Sequence, residues 1–364
     1  MKDNHCRPAW LELADGTRLK GTSFGFAGPA SGEVVFTTSM VGYVESLTDP
    51  SYRGQILLMT YPLIGNYGVP GESGRFESNR IQAAGLVVST AHADTSHAEA
   101  ALSLPDWLAR EQVPGIAGID TRRLTLKLRE HGTMLGRISA EERSLTEETA
   151  MLDPNSTDIV REVTVAKPVV HEGQAQVAVA PIRRKRVILV DCGVKQSILR
   201  ELLGRGLEVR QVPADWDYTG EEFDGIIVSN GPGNPERCTA TTGILRRAMS
   251  LGRPMFGICL GAQLMALAAG GRTYKLRYGH RGQNQPVREA GTARCRLTSQ
   301  NHGFAIAPET LSDDWQVWFT NANDGSVEGI RHRRRPFAAV QFHPEAAPGP
   351  LDSRDLFDQF VELL

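Results

Sequence analysis

The sequence has no surplus of either charge. Its 364 residues carry 40 Lys and Arg against 42 Asp and Glu, a formal net charge of −2 at pH 7. So near-neutral a balance gives no sign of a polyanion partner, and no nucleic-acid role is expected. Two basic runs, Arg183-Arg184-Lys185-Arg186 and Arg331-His332-Arg333-Arg334-Arg335, each border an apolar strand candidate and read as solvated strand ends. Long apolar runs are missing too. None approaches the ~20 residues that a membrane helix needs. The start, Met1 to Pro8, holds no apolar core segment, which argues against a signal peptide; a cytoplasmic chain is expected from the scattered, unpaired cysteines. Cysteine is scarce: 5 residues, at Cys6, Cys192, Cys238, Cys259 and Cys295, with no CxxC pair. A disulfide framework or a cysteine zinc site is therefore not expected, and no metal site is assigned. What the chain does have is material for burial. With 41% hydrophobic and 23% charged residues it is not a disordered sequence. Its length allows about two domains.

The patterning suggests where they lie. Residues 1–165 read as an α+β, β-rich domain. Leu11-Glu12-Leu13 and Arg18-Leu19-Lys20 flank Ala14-Asp15-Gly16-Thr17, a hairpin signal. Gly32 to Ser39 and Gln55 to Tyr61 are further strand candidates, and 98–111 and 121–131 read as helices, the second ending at Gly132. Residues 166–185 have small residues, prolines and a charge cluster, and read as a linker. From 186 to 364, apolar runs at 186–190, 207–212, 224–229 and 254–258 alternate with helical spacing at 195–203, 241–251 and 260–269. That alternation predicts an α/β domain with a mostly parallel sheet flanked by helices. In such sheets the functional groups gather at the carboxyl ends of the strands.

Three short motifs fall at those ends. Gly257-Ile258-Cys259-Leu260-Gly261 stands between an apolar strand and a helix. Small residues around a central nucleophile permit a tight elbow that presents its side chain, and a helix start favours negative charge there. Ala338 to Phe342 is a second strand, and His343-Pro344-Glu345 follows it. Pro344 stops the strand, His343 can serve as base, and Glu345 can orient the imidazole. Asn230-Gly231-Pro232-Gly233-Asn234-Pro235 follows a third strand and suits an oxyanion hole shared with the Leu260 amide. A phosphate loop fits less well, since no Gly-Lys-Ser/Thr follows, and Asp191-Cys192-Gly193 does not match GxGxxG.

Taken in order, Ser229-Asn230-Gly231-Pro232-Gly233, the cysteine elbow with Gln263, and Gln341-Phe342-His343-Pro344-Glu345 resemble the class I, triad-type glutamine amidotransferases. The remainder narrows the likeness. Gly32 to Tyr43, Leu47 to Tyr52, Thr60 to Asn66, Gly118 to Arg122 and Ser299 to Phe304 are similar to the small subunits of carbamoyl phosphate synthetases. This resemblance implies that Cys259 is the nucleophile, His343 the base and Glu345 its partner. It implies that Ser51, Gly231, Gly233, Leu260, Gln263, Asn301, Gly303 and Phe304 bind L-glutamine. It further implies no cofactor on this chain and a separate large subunit, in a heterodimer or higher assembly. That subunit would take up ammonia and use ATP and Mg2+ with bicarbonate to make carbamoyl phosphate for arginine and pyrimidine synthesis. Two positions depart from the family pattern: Ala262 and Gln285 stand where His is common. The competing readings are a stand-alone glutaminase or γ-glutamyl hydrolase, against which the N-terminal region argues, and a silent regulatory subunit, against which the intact triad argues.

Overall fold

The computed structural model describes residues 7–71, 75–95, 97–139, 151–173 and 183–364. The chain divides into two compact units, Met1–Ser156 and Thr157–Leu364.

The described residues of the N-terminal unit form nine short strands: β1 (Pro8–Leu13), β2 (Arg18–Gly25), β3 (Ala30–Thr37), β4 (Gln55–Met59), β5 (Val69–Pro70), β6 (Gly85–Val87), β7 (Ala100–Leu102), β8 (Pro114–Ala117) and β9 (Met134–Ser139). Seven of them close a barrel in the order β1-β2-β8-β6-β4-β3-β9. The hairpin read from the sequence is β1–β2, with Leu11 opposite Leu19. Its turn is secured by Asp15 Oδ1, which accepts from the Thr17 N–H at 3.0 Å. Strand β4 is buried at every position, as befits a strand between two parallel neighbours, β3 and β6. Among the described residues, three helices accompany the strands: α1 (Tyr43–Thr48), α2 (Leu104–Arg110) and α3 (Thr121–His131). Helix α3 coincides with the expected span, with Asp120 capping it through the Arg123 N–H at 2.9 Å. The helix expected over 98–111 is shorter. Residues 100–102 form β7, and α2 begins only after Ser103, whose hydroxyl accepts from Asp106 N–H. Pro105 in the first turn reinforces that start.

Among its described residues, the C-terminal unit has one ten-stranded sheet, in the order β10-β12-β11-β13-β14-β19-β18-β16-β15-β17. Its strands are β10 (Val169–Glu172), β11 (Arg186–Asp191), β12 (Glu208–Pro213), β13 (Gly225–Val228), β14 (Met255–Ile258), β15 (Arg272–Glu289), β16 (Cys295–Ala307), β17 (Trp315–Asn321), β18 (Val327–His332) and β19 (Phe337–Val340). The expectation of a mostly parallel sheet is corrected here. Only β12, β11, β13, β14 and β19 run parallel. The long β15–β16 hairpin and its neighbours extend the sheet antiparallel, because strands joined by turns need no crossover helix. Residues 169–172, read as part of a linker, instead form β10 against β12, and 174–182 lie outside the described residues. Helices α4 (Gln196–Gly204), α5 (Thr239–Ser250), α6 (Leu260–Ala268) and α7 (Asp355–Glu362) cover the parallel strands. Alternation in β11 sorts the layers. Val187 and Leu189 pack with α4 and α7, while Ile188 and Val190 pack with α5 and α6.

The basic runs sit in surface ion pairs. Arg183 bonds Asp224 at 2.6 Å and Arg334 bonds Asp314 at 2.8 Å. Among the described residues, no helix is long and apolar enough to cross a membrane.

Candidate active site

Cys259 lies between β14 and α6 with φ 54° and ψ −106°. A non-glycine residue pays for a positive φ, so the surroundings must enforce it. The flanking glycines make that possible. A Cβ on Gly261 would stand 2.1 Å from the Val228 carbonyl oxygen, and one on Gly257 would stand 2.8 Å from Gly261 backbone atoms. The elbow thus packs backbone on backbone against β13. Cys259 N–H also donates to Val340 O of β19 at 2.8 Å. The cysteine is buried, and its Sγ donates to the Asn301 carbonyl at 3.6 Å. The Leu260 N–H opens α6, where helix amides have no partner within the helix.

His343 follows β19, and its own N–H donates to Ser299 O at 2.9 Å. Its Nδ1 bonds Glu345 Oε1 at 2.6 Å. The same oxygen meets Lys195 Nζ at 3.0 Å, and Nζ also donates to Ala346 O at 2.7 Å. All three side chains are buried. Burial pushes Glu345 up, but the Lys195 charge and then His343 prevail and hold it down at about 2. Burial pushes His343 down, yet the Glu345 charge and the Cys259 and Glu345 side chains outweigh it and raise the ring to about 10. Lys195 opposes that rise. Among the described residues, His343 Nε2 and Glu345 Oε2 have no hydrogen-bond partner. One face of the histidine is therefore fixed, and the other is free to move a proton.

The glycine loop flanks the elbow. A Cβ on Gly231 would lie 2.0 Å from Cys192 O and 2.8 Å from Leu260 Cδ2, and Gly233 has φ 86°. Asn230 Oδ1 accepts from the Lys195 N–H at 3.0 Å, tying this loop to the turn after β11. On the other side runs β16 with Asn301, Gly303 and Phe304. Gln263 Nε2 donates to Phe304 O and to Gln341 Oε1, each at 3.0 Å. In the C-terminal unit Gly231 thus packs against Leu260, Asn301 meets Cys259, and Gln263 holds Phe304, with Gly233 two residues past Gly231 and Gly303 between Asn301 and Phe304. Ser51 belongs to the N-terminal unit, in a buried turn over Pro50–Tyr52 where its N–H donates to Asp49 Oδ1 at 2.9 Å. Ala262 is fully buried in the α5–α6 core, and Gln285 lies on β15.

Sequence reasoning missed Lys195. Its signal was present: it stands directly before α4 and just past the carboxyl end of β11, where such sheets place functional groups. A lone lysine without a recognised motif carried no chemistry on its own.

Two family models match the chain. The "Glutamine amidotransferase class-I" model covers residues 188–363, and "Carbamoyl-phosphate synthase small chain, CPSase domain" covers 11–138. Among curated relatives, the carbamoyl phosphate synthase arginine-specific small chain of Aspergillus fumigatus is 49% identical, over 97% of this chain and 79% of the relative. That of Neosartorya fischeri is 48% identical over the same shares. The multifunctional protein CAD of Squalus acanthias is 48% identical over 97% of this chain, which spans only 16% of that much longer protein. With both regions matched, the chain belongs to the small-chain family of glutamine-hydrolysing carbamoyl phosphate synthases.

Proposed function

We propose that Cys259, His343 and Glu345 hydrolyse L-glutamine to glutamate and ammonia, and that the ammonia passes to a large subunit. There it joins bicarbonate at the expense of ATP, with Mg2+, to give carbamoyl phosphate for arginine and pyrimidine synthesis. The multifunctional relatives, whose names are CAD and pyrABCN, are consistent with joint action of several such activities.

The observation that carries the reading is the arrangement at the elbow: a cysteine held at positive φ, beside a histidine whose Nδ1 is bound and whose Nε2 is unpartnered. Cys259 Sγ, its proton passed to Nε2, attacks the side-chain amide carbon. The Leu260 and Gly233 N–H groups hold the oxyanion, worth about 10²–10³-fold for each donor. His343 Nε2 returns the proton as the C–N bond breaks and ammonia leaves, forming a γ-glutamyl thioester. The deprotonated ring then takes a proton from water, whose oxygen displaces Sγ to give glutamate. Such proton transfer contributes about 10²–10⁴-fold. Glu345 orients the ring, and Lys195 keeps Glu345 ionised. Within the C-terminal unit, Gln263, Asn301, Gly303 and Phe304 supply amide and backbone groups suited to the α-amino and α-carboxylate of glutamine.

The test is Cys259→Ser in complex with the large subunit. Glutamine-dependent synthesis is lost while ammonia-dependent synthesis continues. Survival of the first, or loss of both, overturns the assignment, and full glutaminase activity in a chain that never associates favours a stand-alone enzyme.

A further inference from the structure

Beside the elbow lies a second buried cluster that the hydrolysis does not use. His280 on β15 faces His302 on β16 in the strand register, and Glu328 comes from β18. We propose that these three residues form a site for a divalent transition-metal ion of the zinc class.

The distances carry the argument. His280 Nδ1 lies 3.2 Å and His302 Nε2 3.5 Å from Glu328 Oε1. Ligand atoms around a tetrahedral zinc with bonds of 2.0–2.2 Å stand about 3.3–3.6 Å apart. One ligand atom from each residue falls within 4.8 Å of the other two, so loading draws the two rings together. The outer shell is also of the metal type. His280 Nε2 bonds Asp324 Oδ2 at 2.9 Å, and His302 Nδ1 bonds Phe304 O at 2.9 Å. Ligating histidines characteristically give their far N–H to a carboxylate or a carbonyl.

That outer bond has a consequence for His302. A carbonyl only accepts, so the ring proton sits on Nδ1. Nε2 then turns a bare lone pair toward Glu328. The Gln300 amide oxygen borders the same nitrogen at 3.3 Å. Glu328 is fully buried, and among the described residues its Oε2 has no partner. Asn321 Nδ2 reaches Glu328 Oε1 at 3.3 Å and His280 Nδ1 at 3.4 Å, a donor that a bound ion would displace. Electron-pair donors thus converge where a cation is wanted. Two imidazoles and one carboxylate suit zinc or cobalt and leave a coordination position for water. The sequence showed no ligand spacing because the three residues come from three strands.

An ion here would fix the His302 ring and through it the Phe304 carbonyl, which Gln263 also grips. That consequence rests on the glutaminase reading; metal binding itself does not.

The test uses the full chain, purified without a metal-affinity tag, stripped with a chelator and dialysed against Zn2+ or Co2+. Elemental analysis should find about one equivalent bound, and Co2+ should give the intense visible bands of a four-coordinate site. His280→Ala and Glu328→Gln should lose the bands, Asp324→Asn should weaken binding about tenfold, and Cys259→Ser should keep both. Uptake below about a tenth of an equivalent, or variants that bind as the parent does, overturns the site. Cys259→Ser that loses glutamine hydrolysis but retains the metal separates this proposal from the preceding one.

Discussion

Each unit holds a buried carboxylate against cations, yet the two are built differently. In the N-terminal barrel, Glu12 uses both oxygens: Oε1 meets Arg18 at 3.2 Å and Oε2 meets Arg137 at 2.6 Å. In the C-terminal unit, Glu345 concentrates Lys195 and His343 on one oxygen and leaves the other unmatched. The first arrangement spends its charge on holding strands together. The second keeps one end of a histidine free at a site where a cysteine waits. Burial alone does not distinguish the two carboxylates; incomplete satisfaction near Cys259 does.

The contrast can be pressed by mutation. The largest effect belongs to the reaction itself: His343→Ala should reduce glutamine-dependent synthesis by about 10⁴-fold, measured in the complex, with ammonia-dependent synthesis spared. Next comes Lys195→Ala. It leaves Glu345 in the interior with His343 alone, and losing one partner of a buried charge cluster should cost about 3–5 kcal/mol in denaturant unfolding. A cost near that of a surface pair would erase the distinction drawn here. Gly261→Ala should cost about 3 kcal/mol, because its Cβ meets backbone that cannot retreat. Smallest is Arg18→Ala, whose guanidinium is half exposed; about 0–1 kcal/mol is expected.

Acidity offers another probe. The folded state binds the His343 proton more tightly than the unfolded chain. Its stabilisation is full below the ordinary 6.5 and is lost as pH rises to about 10. Glu345 contributes in the opposite sense, fully above 4.5 and not at all once pH has fallen to about 2. Unfolding midpoints followed from pH 6.5 to 10 should decline, and His343→Gln should flatten that decline. An unchanged slope in the variant would assign it elsewhere.

What could be read in advance followed the range of the interactions. The elbow was legible because Gly257, Cys259 and Gly261 are neighbours in sequence, and their crowding is local. His343 and Glu345 were legible for the same reason. The barrel was not, since β1 closes on β9 across most of the unit and no local pattern encodes that pairing. Lys195 was missed because its partner lies on a distant turn. The β15–β16 hairpin escaped because its residues alternate poorly between buried and exposed, so the sheet looked more parallel than it is. Start and stop residues such as Ser103 decided where helices began, and they outrank a helical-looking composition upstream.

Strand β10 bears on a different matter, the risk of self-association. A parallel sheet that ended at β12 would offer a six-residue row of open backbone groups to any other extended chain. β10 occupies that row with only four residues, Val169 to Glu172, and ends on a charge. At the opposite end β17 turns back onto β18 as well as β15, so among the described residues the sheet closes on itself there. A modest stretch of chain thus serves as an edge guard, and removing it should show first as aggregation.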